Sequence, residues 1–445
     1  MSGLAVLTRN TEEGTSDLQH TLAKAWNWAY YDMTMEGQSH SFSLTGGAYY
    51  LPRITRRDGR AIESALAGPS LYEAGVQLSG AVVEATFAHQ DPPLLRRLRD
   101  ANVPLLVDPQ TVRFTTDAFF GVAQVRGLPY APTVPLVPGI KRKRVRHVVA
   151  ASMAFQEERG ASAYVAPSVP IRDQDRNGWE DLHRQMLKAA VAANGSEGIS
   201  RKPLVAFLAP GPRALADPRG SLSFLADLPI DGVYVQPMRL DPTRDSVEKL
   251  VQYVRLLRKA RELGIEVIAS RVGAFGLILH ALDIPFFDSG LGEAEKCDLA
   301  ALNRPRRPET AGASGRKGNR RIYLEALRTT LPARVADSIL AQKGLRARFA
   351  CGLACCRWHG YEDLAERGRT HYLWVRHREV AYLAEQPTPE MKIDAVANML
   401  AEAQETAKVV KRALGEREVP LPSFDHLDRW HSVLARSTQV LVETS

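Results

Sequence analysis

Two aspartates stand where short apolar runs give out. Asp288 closes "IPFFD" ahead of the glycine-flanked turn "SGLG", and Asp108 closes "VPLLVD". Two carboxylates brought to one pocket can divide labour, one as nucleophile and one as general base, if their surroundings separate their pKa values. An aspartate that only caps a helix or takes up turn amides has the same local look. The neighbours therefore matter. Ser168 follows "YVAP", Gln236 ends "GVYVQ", Arg271 follows "IEVIAS", and Glu84 lies within "GAVVEATF". Gly273, in "RVGAFG", and the glycines at 276, 290 and 292 allow a backbone to approach a planar ligand closely.

A second constellation is "CGLACCRWH". The chain has four cysteines, three of them here, which makes a disulfide scaffold improbable and metal or thiol chemistry the better question. Cys351, Cys355 and Cys356 offer three thiolates, and His359, His371 and His377 are three candidates for a fourth tetrahedral ligand. Adjacent cysteines diverge on a helix, so one of Cys355 and Cys356 can instead face the core. Four protein ligands leave no open position, so the site would be structural and Zn2+ its natural occupant. Cys297 stands apart as an ordinary thiol.

Charge gives a third signal. The net charge is +8 and the sequence pI about 9.3, which suits a polyanionic partner. The basic residues cluster in "KRKRVRH", with Lys141, Arg142 and Lys143, and between Arg304 and Arg321. In that second run seven of eighteen residues are basic and one is acidic, with Arg304, Arg306, Arg307, Arg316, Lys317 and Arg320 the candidate contacts. Solvated surface loops also carry such runs. Two of them in one domain favour nucleic acid. No apolar run approaches the roughly 20 residues of a membrane span, and the N-terminus turns polar before a signal core could form, so a cytoplasmic protein is expected.

The elements that must position these residues are βα units. From about residue 80, seven short apolar runs (80–87, 103–108, 162–166, 203–208, 232–236, 265–270 and 284–288) alternate with helical patterns that end at Asn or Gly. An eighth strand from "RARFACG" or "HYLWVRH" would close a (β/α)8 TIM barrel, in which reactive groups sit at the C-terminal strand ends. An open doubly wound sheet is the competitor, but no G-x-G-x-x-G turn follows the first strand. Three regions follow: an aromatic-rich N-terminal extension (1–75), a barrel (76–385) carrying the basic loop (304–321) and the Cys/His cluster (351–377), and C-terminal helices (386–445).

The order of these parts resembles the tRNA-guanine transglycosylase (queuine tRNA-ribosyltransferase) superfamily of (β/α)8 enzymes. "LLVDPQTVRF" and "VGAFGLILHALDIPFFDSGLG" echo its two aspartate segments, and the separation of Asp108 and Asp288 (288 minus 108, or 180 positions) is close to what that architecture requires. The basic segment and the cysteines follow in the family's order. The sequence departs from the family at Ser289, where a cysteine is usual, in the missing Leu-Pro-Thr-Arg, at "VAPSVP", which lacks the base-recognising aspartate, and in C-x3-C-C spacing in place of C-x-C-x2-C. These departures fit the divergent branch that inserts 7-deazaguanines into DNA.

The resemblance implies a glycosyltransferase that exchanges guanine for a 7-deazaguanine (preQ0-like) base, in DNA or alternatively in tRNA. Asp288 would be the nucleophile and Asp108 the base, with Ser168, Gln236, Arg271 and Gly273 around the substrate base. The family's histidine opens an aromatic helix like "VRHREVAYL", which points to His377 as the zinc ligand beside Cys351, Cys355 and Cys356. A homodimer, or partner proteins of a DNA-modification system, would be consistent with it. Two other readings compete: a small-molecule glycosidase using the same carboxylates, which leaves the basic loops without purpose, and a nucleic-acid-binding barrel without chemistry.

Overall fold

The computed structural model describes residues 49–67, 78–90, 92–116, 122–292, 295–299, 321–349, 351, 353–356, 364, 366–415 and 421–444. Eight parallel strands form a nearly closed barrel: β1 (Tyr49–Ile54), β2 (Ala81–Glu84), β3 (Leu105–Asp108), β4 (Tyr164–Ala166), β5 (Leu204–Pro210), β6 (Gly232–Val235), β7 (Glu266–Ala269) and β8 (Phe286–Gly290). Their order around the sheet is β3-β2-β1-β8-β7-β6-β5-β4. The remaining seam, between β3 and β4, carries a parallel bridge from Leu106 to Ala163 and a 2.8 Å bond from the Ser162 amide to the Leu105 carbonyl. The (β/α)8 class expected from the βα rhythm is the class observed.

Two expectations are corrected. The eighth strand is β1, paired in parallel with both β8 and β2, so the barrel begins inside the segment 1–75 that was read as an extension. "RARFACG" and "HYLWVRH" are not strands; the described part of the first is helical turns, and the second lies in a long helix. "HYLWVRH" buries residues at successive positions, so its apolar density alone does not separate helix from strand.

The strands read as apolar runs because helices cover their outer face while side chains fill the interior. Alternation divides them. Leu51, Val82, Leu106, Val165, Phe207, Tyr234, Ile268 and Phe286 form the interior cluster, whereas Tyr50, Val83, Val107, Ala206, Val233, Val267 and Phe287 pack outward. Each fully buried aliphatic or phenyl side chain contributes about 1.5–3 kcal/mol. The outer layer includes α1 (Gly59–Leu66), α2 (Pro93–Asp100), α3 (Arg142–Glu158), α4 (Arg176–Ala193), α5 (Val247–Glu262) and α6 (Phe275–Ala281). Asp175 caps α4 by accepting the Gly178 amide, and Ser246 caps α5 by accepting that of Lys249.

After the barrel come an antiparallel hairpin, β9 (Arg321–Leu324) and β10 (Thr329–Pro332), and the helix α7 (Ala333–Leu340). Three long helices follow: α8 (Gly368–Ala384), α9 (Pro389–Leu414) and α10 (His426–Thr444). The last is tied to the barrel by Trp430, whose indole donates to the Pro242 carbonyl at 2.7 Å, and by Arg258, which donates to the Ser437 carbonyl at 3.0 Å. No described helix is long and apolar enough to cross a membrane.

Candidate active site and metal centre

The inward positions that follow the interior cluster by two residues form the barrel mouth. Leu51 leads to Arg53, Val82 to Glu84, Leu106 to Asp108, Tyr234 to Gln236, Ile268 to Ser270 and Phe286 to Asp288. Arg53 sits at the centre and is fully buried. Its Nη1 donates to Asp108 Oδ2 at 3.0 Å, and its Nε and Nη2 donate to Asp288 Oδ1 and Oδ2 at 3.3 and 3.1 Å. Glu84 Oε1 lies 3.7 Å from Nη1. Arg53 Nη2 also donates to the Tyr234 hydroxyl, which in turn donates to Asp288 Oδ2. Asp108 and Asp288, 180 positions apart in sequence, are thus joined through one guanidinium.

Two backbone amides complete the cage. The Gln110 amide donates to Asp108 Oδ1 at 2.9 Å, and the Arg271 amide donates to Asp288 Oδ1 at 3.0 Å. Both residues hold positive φ, +55° and +58°, which non-glycine residues adopt only at a cost of about 1–3 kcal/mol. In each case the left-handed turn aims an N–H at a strand-end aspartate. The Arg271 side chain reaches Glu84 Oε1 at 2.6 Å.

Electrostatics follow from burial set against charge. Burial pushes the Glu84 carboxyl up, but Arg271 and Arg53 outweigh it and hold the group below its ordinary value. Burial likewise disfavours the Arg53 cation, yet Asp288, Tyr234, Asp108 and Glu84 raise its pKa well above the usual value, so it stays charged. Burial raises Tyr234 well above the ordinary tyrosine range, so it serves as a donor.

The other expected substrate residues differ in availability. Gln236 is buried, and its side-chain amide makes no hydrogen bond among the described residues. Ser168 is committed elsewhere: its Oγ lies 2.6 Å from His183 Nδ1, and its amide and carbonyl both bond to the Thr111 hydroxyl. Gly273 has φ +58°, and the space where a Cβ would project holds the Glu295 side chain, 2.8 Å away, so glycine is required there by packing and backbone conformation.

On the same face, α3 opens with Lys141, Arg142, Lys143 and Arg144, all exposed and without an ion pair among the described residues. The C-terminal end of α3 leads into the base of β4, so its start lies on the mouth side. Cations at a helix N-terminus oppose the macrodipole, which favours anions there. Arg304, Arg306, Arg307, Arg316, Lys317 and Arg320 lie outside the described residues, as does His359.

Cys351, Cys355, Cys356 and His371 form a cluster that could hold a metal ion, with their ligand atoms all within 4.8 Å of one another. Cys351 and Cys355 sulfurs are 3.8 Å apart, those of Cys355 and Cys356 3.7 Å, and His371 Nδ1 lies 3.8 and 3.4 Å from the latter two. A tetrahedral ion with metal–sulfur bonds of about 2.3 Å and metal–nitrogen bonds of about 2.0 Å has sulfur–sulfur edges of roughly 3.8 Å and sulfur–nitrogen edges of roughly 3.5 Å. The donor set fits such a centre. Both adjacent cysteines take part because they sit in a tight 3-10 turn, Ala354–Cys356.

The histidine is a correction. His377, expected from family order, lies six residues beyond His371 on α8, so at about 100° per residue it faces another direction. Its ring packs 5.3 Å from Tyr50, and burial pulls its pKa down to about 4. Cys297 is buried apart from the cluster, donates to the Ser270 carbonyl, and is pushed up to about 12 by burial.

Sequence reading missed Arg53 and Tyr234. Tyr234 is legible afterwards as an inward position of "GVYVQ". Arg53 is legible only once "YYLPRI" is recognised as a strand. No protein-family model matches the chain, and no match was found among curated proteins.

Proposed function

We propose that the chain is a guanine transglycosylase acting on nucleic acid, with DNA favoured over tRNA, that exchanges guanine for a 7-deazaguanine base. The observation that carries this reading is the convergence of Asp108 and Asp288 on one barrel mouth, beside Gln236, whose side-chain amide makes no hydrogen bond among the described residues. Asp288 would attack C1′ of the target nucleoside, and guanine would leave with the glycosidic electron pair on N9. Asp108 would then take the N9 proton of the incoming base as that nitrogen re-forms the bond to C1′ and releases Asp288.

In formal charges the mouth holds three carboxylates (Glu84, Asp108, Asp288) and two guanidiniums (Arg53, Arg271), or 3 − 2 = 1 excess negative charge, which suits an oxocarbenium-like transition state. Asp288 is fully buried, so substrate must draw Arg53 off it toward Asp108 and Glu84, which Arg53 already touches. The target nucleotide must be unpaired or flipped out of its stack. The exposed start of α3 would bind phosphates, which makes affinity fall with salt.

For the Cys351/Cys355/Cys356/His371 centre we propose Zn2+ in a structural role, since three thiolates and an imidazole are a usual zinc set. Zinc there would tie the segment 351–356 to α8.

A nucleic-acid-binding barrel without chemistry is the second reading, favoured by the burial of Asp288. One experiment separates the two. Incubate the protein with single-stranded DNA, duplex DNA and tRNA, and look for a denaturation-resistant adduct by gel and intact mass. The expected result is a DNA adduct that Asp288→Asn abolishes while DNA binding persists; asparagine keeps the shape around Arg53. Binding without an adduct on any polymer would leave only the second reading.

A further inference from the structure

Ser289, the residue after Asp288, points out of the barrel toward α8. Its Oγ lies 2.9 Å from the Tyr372 hydroxyl, and that hydroxyl donates to Glu295 Oε1 at 2.5 Å. A carboxylate only accepts, so the Tyr372 proton belongs to Glu295 and the Ser289 hydroxyl must be the donor to Tyr372. On the other side, the Tyr50 hydroxyl donates to the Ser289 carbonyl at 3.2 Å. Ser289 is therefore held from both flanks, by its side chain and by its carbonyl.

Tyr372 is itself firmly set. It is fully buried, and the Arg376 guanidinium lies 5.1 Å from its ring centroid, held by a 2.8 Å ion pair to Glu379. It also follows His371, the imidazole of the metal cluster, directly in the chain. One turn of α8 thus carries a cluster ligand toward the cysteines and a hydroxyl toward the end of β8.

We propose that Tyr372 is a positioning residue for Asp288, which through Ser289 transmits the assembly of the Cys351/Cys355/Cys356/His371 centre to the barrel mouth. The Ser289 hydroxyl is a stronger donor than a thiol at that position would be, which this link needs. The consequence for catalysis rests on the transglycosylase reading; the mechanical link does not.

The test is amide hydrogen exchange across residues 286–292 in the metal-loaded and chelated protein, with metal content measured alongside. In Tyr372→Phe we expect the metal to be retained and exchange there to rise about fivefold, the effect of one lost hydrogen bond. Ser289→Ala should match it, the double variant should add nothing further, and Ser289→Cys should fall between. Chelation should accelerate exchange in the unaltered protein and have a smaller further effect in Tyr372→Phe. Unchanged exchange in Tyr372→Phe, additive effects in the double variant, or equal acceleration by chelation in both backgrounds would each overturn the link. In the adduct assay, Tyr372→Phe should slow adduct formation at saturating DNA without weakening DNA binding, with partial recovery in Ser289→Cys relative to Ser289→Ala. If no protein forms an adduct, the exchange result alone decides the link, and the loss falls on the transglycosylase reading.

Discussion

At the barrel mouth, both aspartates find cations and N–H donors of the same chain; in the cluster beside α8, three thiols and an imidazole find one another. Both sites are largely buried, yet only the first is completed by folding. Arg53 and the amides of Gln110 and Arg271 orient Asp108 and Asp288 and offset part of their charge without outside help. The cluster brings together three thiols, which repel one another when deprotonated and then need a cation between them, and an imidazole. A site that supplies its own counter-ion can remain closed without a ligand. One that lacks it depends on what the chain is given.

The largest expected effect therefore lies at the cluster. Metal binding at structural zinc sites is worth about 10–16 kcal/mol in small peptides at neutral pH, part of which appears as folding free energy. Cys355→Ser or Cys356→Ser should remove the bound metal and lower the melting temperature, as chelation should in the unaltered chain. Elemental analysis and a thermal melt check this. Full metal content and an unshifted melt in both variants would break the distinction between the two sites.

The mouth should respond less, though still strongly. Arg53→Met leaves Asp108 and Asp288 buried without their shared cation, and breaking a buried pair from one side costs about 3–5 kcal/mol. Arg53→Met combined with Asp288→Leu should recover part of that loss, because it removes the stranded charge on one side. Chemical denaturation measures both. A neutral Arg53→Met would mean that water or the two turn amides suffice, and the mouth would not be closed by its own counter-ion.

Legibility differed between the two regions for physical reasons. Asp108 and Asp288 were visible because a period of two leads from the apolar interior to the strand end, and apolar runs mark that period well. Arg53 obeys the same period, but proline and arginine within "YYLPRI" make the strand look like a turn. Its charge is tolerated only because Glu84, Asp108 and Asp288 surround it, a fact of tertiary packing that no local pattern records. Cys351, Cys355 and Cys356 were visible by type alone. The choice among histidines was not, because it depends on which face of α8 meets the 3-10 turn. Gly273 read as a place for a ligand, whereas Glu295 occupies the space beside it.

Acid should distinguish His377 from Glu84. His377 is neutral in the fold, with its pKa pulled by burial from 6.5 to about 4 and with no hydrogen bond at Nε2 among the described residues. Between those values the unfolded chain binds a proton that the folded chain refuses, so stability falls as pH falls, by about 2 kcal/mol at pH 5. Glu84 has the opposite charge type and a depressed pKa: its contribution is complete above 4.5 and is lost only as pH drops through the lower, folded value. The His377 contribution should thus be lost at higher pH than that of Glu84. His377→Gln cannot titrate, so its stability relative to the unaltered protein should rise between pH 6.5 and 5, while its metal content at pH 7 stays the same because His371 is the ligand. Parallel stability curves would mean that His377 reaches solvent in the fold. Loss of metal from His377→Gln would restore the histidine that family order favours and detach His371 from the centre.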